Sequence, residues 1–139
     1  MKTNIGILLL SLLSALVFAG CASTSVPWAN MSESEIAAWR TAGVDPKSAQ
    51  KYVAAGIPAA AYNEWVAVKI TGQAIFDWAG QGFKPTEATD WLASGFDVKA
   101  ATSWKKESFS AREAASWTKA GLPLNKAVRE RARGLKPIE

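Results

Sequence analysis

The stretch WLASGFDVKAATSW, residues 91–104, opens and closes on tryptophan, and Gly95-Phe96 follows the first ring by four places. The same interval of thirteen runs through the chain, carrying Trp39, Tyr52, Trp65, Trp78, Trp91, Trp104 and Trp117. Four places after each aromatic stand Gly43, Gly56, Lys69, Gly82, Gly95, Ser108 and Gly121. The next residue is always apolar: Val44, Ile57, Ile70, Phe83, Phe96, Phe109 and Leu122. Three places before the aromatic lie Ile36, Ala49, Tyr62, Ile75, Ala88, Ala101 and Ala114, with Ala127 in the equivalent place of the final segment. Four columns in register over seven units define an internal repeat.

Each column has a mechanical meaning. A helix that ends in a Schellman motif puts glycine at C′, where the backbone is left-handed, and an apolar residue at C″ that packs back on C3. With Gly95 at C′, Phe96 is C″ and Trp91 is C3. Tryptophan and the Gly-Phe pair are then two halves of one stop signal. Lys69 and Ser108 depart from the rule, so those two turns are expected to be strained or closed differently.

Helix starts are marked as well. Six places after each aromatic come Asp45, Pro58, Thr71, Lys84, Asp97, Ser110 and Pro123. Asp, Thr and Ser are good N-caps, and Ser110-Ala111-Arg112-Glu113 reads as a capping box. Pro46 and Pro85 fall at N1, which suits proline. Each unit is thus a helix of about ten residues, roughly 15 Å long, and a short turn. Such helices are too short to stand alone and need a shared core. The pattern predicts an all-α fold of tandem 13-residue helix–turn repeats forming a short α-solenoid or compact helical array, with seven or eight helices. Its bounds are 32–133, followed by a tail at 134–139. The period matches none of the tetratricopeptide, ankyrin or HEAT repeats.

Residues 1–20 have the composition of a secretory signal peptide: Lys2 near the start, an apolar run from Ile5 to Phe18, then Ala19-Gly20. The run is short for a membrane span, which takes about 20 apolar residues. Cys21 follows at once and is the sole cysteine. Val17-Phe18-Ala19-Gly20-Cys21 resembles the lipobox of bacterial lipoproteins, with Phe18 where Leu is commonest. The resemblance implies cleavage before Cys21 and acylation of its thiol. An exported chain with one cysteine has no intramolecular disulfide partner, which agrees. Two or more acyl chains give stable anchoring. Ala22 after the cysteine, rather than Asp, implies the outer membrane in a host that has one. Residues 21–31, small and polar around Pro27 and Trp28, form the tether. Trp28 is expected to dock on the first helix.

Chemistry of the catalytic kind has little to work with. The chain has no histidine, which excludes Cys–His and Ser–His nucleophiles and the usual zinc ligand sets. Its glycines are spaced by whole helices and form no phosphate cradle. Glu87 and Asp90 read as solvated surface rather than an acid–base pair. No enzyme activity, cofactor or metal is expected. Loss of Lys2 leaves fifteen basic against twelve acidic residues, or +3, too modest to argue for nucleic acid in an exported chain.

Binding is therefore the open question. The tryptophans read as core, being tied to their own turns. A ladder of exposed rings for glycan or peptidoglycan is the alternative, with Trp39 and Trp117 at the ends as its candidates. Glu64, Asp77 and Asp90 precede successive aromatics and form a solvated stripe suited to a basic partner. Residues 65–76 are the most apolar segment after Cys21, and Phe76 marks either the centre of the array or an association patch. The basic C-terminal stretch Asn125–Lys136 suits a helix C-terminus electrostatically, and contact with anionic head groups or an acidic partner is the alternative. The function expected is a membrane-anchored, non-catalytic interaction or structural module of the bacterial envelope, with an envelope protein as partner.

Overall fold

The computed structural model describes residues 27–137. Eight helices follow one another there: α1 (Glu33–Thr41), α2 (Pro46–Ala54), α3 (Ala59–Ala67), α4 (Gln73–Gly80), α5 (Pro85–Ala93), α6 (Val98–Lys106), α7 (Ala111–Lys119) and α8 (Leu124–Ala132). Seven have nine residues and α4 has eight. At 1.5 Å per residue each is roughly 13 Å long, so none has the length to persist alone. They form the repeat array that the thirteen-residue columns predict. Helices pack on their neighbours and, as in α1 on α3 and α5 on α7, on the helix two places along.

Every turn closes the same way. The C″ amide donates to the C3 carbonyl, as in Phe96 to Trp91 at 3.0 Å, and the C′ amide to C2, as in Gly95 to Leu92 at 2.9 Å. This double closure is the Schellman pattern. Of the two outcomes expected at Lys69 and Ser108, strain is the one observed, and closure is kept: Ile70 donates to Trp65 at 3.1 Å and Phe109 to Trp104 at 3.1 Å. Both residues simply take left-handed backbone, at φ 66° and 59°. Gly134-Leu135 repeats the motif after α8, with Leu135 donating to Glu130 at 3.0 Å. The repeat therefore runs two residues past the boundary set at 133.

Starts follow the caps, with one exception. Asp45, Asp97 and Ser110 accept from amides of the first turn, and Ser32 and Ser110 both complete capping boxes. Thr71 is not the cap of α4. Gly72 takes that place at φ 60°, outside the reach of a Thr, and α4 loses a residue.

Tryptophan columns make the core. Trp39, Trp65, Trp78, Trp91, Trp104 and Trp117 are all buried, as are Ala49, Ala88, Ala101, Ala114 and Ala127. Two of the C″ phenylalanines, Phe83 and Phe96, bridge successive rings edge to face. Phe83 lies 4.9 Å from Trp78 and 6.4 Å from Trp91, and Phe96 lies 5.4 Å from Trp91 and 6.1 Å from Trp104. Edge-on pairs of this kind add about 0.5–1.5 kcal/mol beyond their area. No polar or charged residue is buried among the described residues.

A Cβ at Lys69 or Ser108 sits in backbone that costs about 1–2 kcal/mol for a side-chain-bearing residue. Lys69→Gly and Ser108→Gly should each raise the thermal midpoint by several degrees in circular dichroism. Gly95→Ala, at φ 86° with open space around its Cα, should lower it by a similar amount.

Candidate functional site

The contacts that vary along the array are those between helices two places apart. Lys105, on α6, reaches back to the end of α4. Its Nζ donates to the Gly82 carbonyl at 3.3 Å, pairs with Glu87 at 2.8 Å and lies 4.2 Å from the centre of the Phe83 ring. Arg131, on α8, does the same at the end of α6. It donates to the carbonyls of Ser108 and Glu107 and lies 3.6 Å from the Phe109 ring centre. Glu113 there takes the place of Glu87, and its carboxyl is held below the usual range by hydrogen bonds from Ser110 and, less, by the Arg131 charge. Cation, carbonyl and ring thus recur together after two units, and Glu113 keeps the carboxylate's place without a salt bridge to Arg131. We call this arrangement the latch.

Two units earlier the latch is absent. Gly56 and Ile57 end α2, but Ala61 stands where Glu87 and Glu113 stand, and Ala79 where Lys105 and Arg131 stand. An apolar groove of about 640 Å³ opens at that place, lined by Ile57, Ala61, Val68, Ala79, Phe83 and Pro85, with Glu64 and Lys84 also on its wall. A related groove of about 530 Å³ lies four units on. There Glu113, Ser116, Arg131 and Lys136 replace Ala61, Glu64, Ala79 and Lys84 of the first groove. One architecture, repeated, has an apolar form and a polar form.

Residues singled out by sequence are distributed as follows. Trp39 and Trp117 are not open rings: they are 1% and 3% exposed, because their own C″ residues and the neighbouring helices cover them. Trp117 nonetheless forms part of the wall of the polar groove. Phe76 is half-buried and stacks on Tyr52 at 4.7 Å and 7°, which makes it part of the core's margin. Tyr52 also meets Tyr62 at 4.8 Å, and burial beside that second phenol pushes its hydroxyl pKa up. Trp28 packs on the core, with Arg40 of α1 5.8 Å from its ring centre. Glu64, Asp77 and Asp90 are all exposed. Glu87 is not paired with Asp90 for acid–base work but with Lys105. Cys21 and the rest of 1–26 lie outside the described residues. Among the described residues no group of His, Cys, Asp or Glu is placed to hold a metal.

The latch went unread in the sequence because it has a period of two units, not one. Aligning every unit mixes its cations with Val66, Leu92 and Thr118 of the alternate helices. Listing every second unit would have found it.

No protein-family model, curated protein or solved structure matches this chain.

The titrating groups that matter to the fold are caps. Ser110 hydrogen bonds hold the Glu113 carboxyl below its ordinary value, Ser32 does so for Glu35, and Ser48 for Asp45. A carboxyl lowered on folding stabilises the fold above its unfolded value and loses that contribution as pH falls through the folded one. The thermal midpoint should hold near neutrality and fall below about pH 4–5. Glu113→Gln should flatten part of that acid limb, which a pH series of melting curves would read.

Proposed function

We propose that this chain is a membrane-anchored bacterial lipoprotein whose helical array is a non-catalytic protein-interaction or structural module of the cell envelope. On this reading residues 1–20 direct export and Cys21 carries the acyl groups. The tether is shorter than the expected 21–31, because Pro27 to Met31 pack on the array and leave 21–26 to reach the bilayer. Among the described residues no helix is long and apolar enough to cross a membrane.

The observation that carries the interaction reading is the apolar groove between the end of α2 and α4. Alanine at both latch positions leaves a half-exposed aliphatic surface, Ala61, Val68, Ala79 and Pro85, where the polar groove carries charge. Such a surface suits an apolar side chain from another protein, held in a notch of ligand-pocket size. The rival reading, a glycan module stacking sugars on tryptophan, loses support from burial of all six rings in the repeat column.

Two experiments test the reading. Ala79→Arg should put a cation where Arg131 sits in the polar groove, keep or raise the melting temperature, and reduce crosslinking to envelope proteins severalfold. Unchanged crosslinking would remove the groove from the account. Cys21→Ser should abolish palmitate labelling and release the chain from the membrane fraction, and persistent labelling would refute the anchor.

A further inference from the structure

The last helix carries charge that its own stability does not call for. Lys126, Arg129 and Arg133 lie three and seven residues apart, which sets them on one face. All three are exposed, while Ala127 is buried and Leu124, Val128 and Arg131 are half-buried on the opposite side. A helix favours cations in its last turn, and that accounts for Arg129 and Arg131. It does not account for Lys126, which stands in the first turn, where a positive charge opposes the helix dipole. Glu35, Glu87 and Glu113 occupy the same place in α1, α5 and α7.

One exposed apolar side chain follows this helix, at the rim of the polar groove, where Leu135 and Lys136 stand with Arg131. Leu135 is the C″ residue of α8, but the C3 partner is Glu130 instead of a tryptophan, so no ring receives it and it is 51% exposed. Arg133 precedes it and Lys136 and Pro137 follow. Glu130 pairs with Arg133 at 3.1 Å, and Lys126, Arg129 and Lys136 make no ion pair in the described residues. Among the described residues no ninth helix covers this face.

We propose that the outer face of α8, with Leu135, docks on an anionic phospholipid surface. Exposed cations attract an anionic bilayer, and a bare leucine at the end of the same helix adds an apolar contact that such a surface can take up. Each cation near an anionic bilayer adds about fivefold to binding, so Lys126, Arg129 and Lys136 together supply roughly a hundredfold. An acidic protein would meet the same charges but would not need the bare leucine. Docking lays the C-terminal end of the array against the bilayer, a second contact besides any acyl anchor, and it holds whether or not Cys21 is acylated.

The test is binding of the full chain to phosphatidylcholine vesicles with and without one third phosphatidylglycerol, read as the ratio between the two. Any contribution of residues 1–26 to apolar partition is common to both vesicles, so failure here is separable from failure of the lipoprotein reading. The ratio should be tens or more, fall with added salt, and drop towards one in Lys126→Glu/Arg129→Glu/Lys136→Glu. Melting curves should show the variant folded, since all three side chains are exposed. Leu135→Ser should weaken capture severalfold with the charge unchanged. A ratio near one for the unaltered chain overturns the proposal. So does tighter binding to soluble polyglutamate than to the anionic vesicles, which would assign the face to an acidic protein.

Discussion

Each of the helices α1 to α7 is closed by a hydrogen bond from its C″ amide to the carbonyl of the aromatic at C3, and much else depends on that bond. It draws the C″ side chain back over the ring of its own helix, as Phe96 lies against Trp91. The opposite side of the same phenylalanine is then offered to the next ring, Trp104. One local closure therefore ends a helix, orients the core residue and sets the contact to the following unit. Nine-residue helices gain in this way what length cannot give them. Small Ala49, Ala88, Ala101 and Ala114 sit three places earlier with no exposure, which lets the helices approach until the rings fill the space.

An array built from neighbour contacts has two ends, and each must be blunted. At the first, Trp28 and Met31 pack on the core from the segment before α1, and the Gln50 side chain holds the Pro27 carbonyl at 3.1 Å. At the second, Glu130 takes the aromatic position, so α8 presents polar surface in place of a ring. Both devices are written in departures from the repeat rather than in the repeat itself. The cost at the C-terminal end is Leu135, whose partner has been removed.

Sequence columns carry the fold well, because Schellman closure and capping are local and their residues fall within one helix and its turn. Gly72 shows the limit: Thr71 is an acceptable N-cap, but the glycine beside it accepts positive φ more cheaply, and the start of α4 shifts. Lys69 and Ser108 show another. A single left-handed residue costs less than losing the core contacts of Ile70 and Phe109, so the turns keep their geometry without glycine. Burial of Trp39 and Trp117 depended on how the ends are covered, which no column states. The latch and the groove it leaves behind arise from packing between helices two apart, and a period of one unit hides them.

That two-unit period bears on why the surface is uneven. Lys105 and Arg131 are exposed enough that each ion pair or ring contact contributes about 1 kcal/mol or less, so a latch is a modest stabiliser. Its loss at Ala61 and Ala79 is correspondingly cheap, and the N-terminal half compensates with the Trp39, Tyr52, Tyr62 and Phe76 cluster, in which Tyr52 lies between rings at 4.7 and 5.8 Å. A cheap contact is one that a repeat can give up without unfolding. Where it has been given up, apolar surface faces outward; where it is kept, the same site is charged. Differentiation of an otherwise uniform array can proceed this way, with the core columns fixed by closure and the partner surface set by which latches remain.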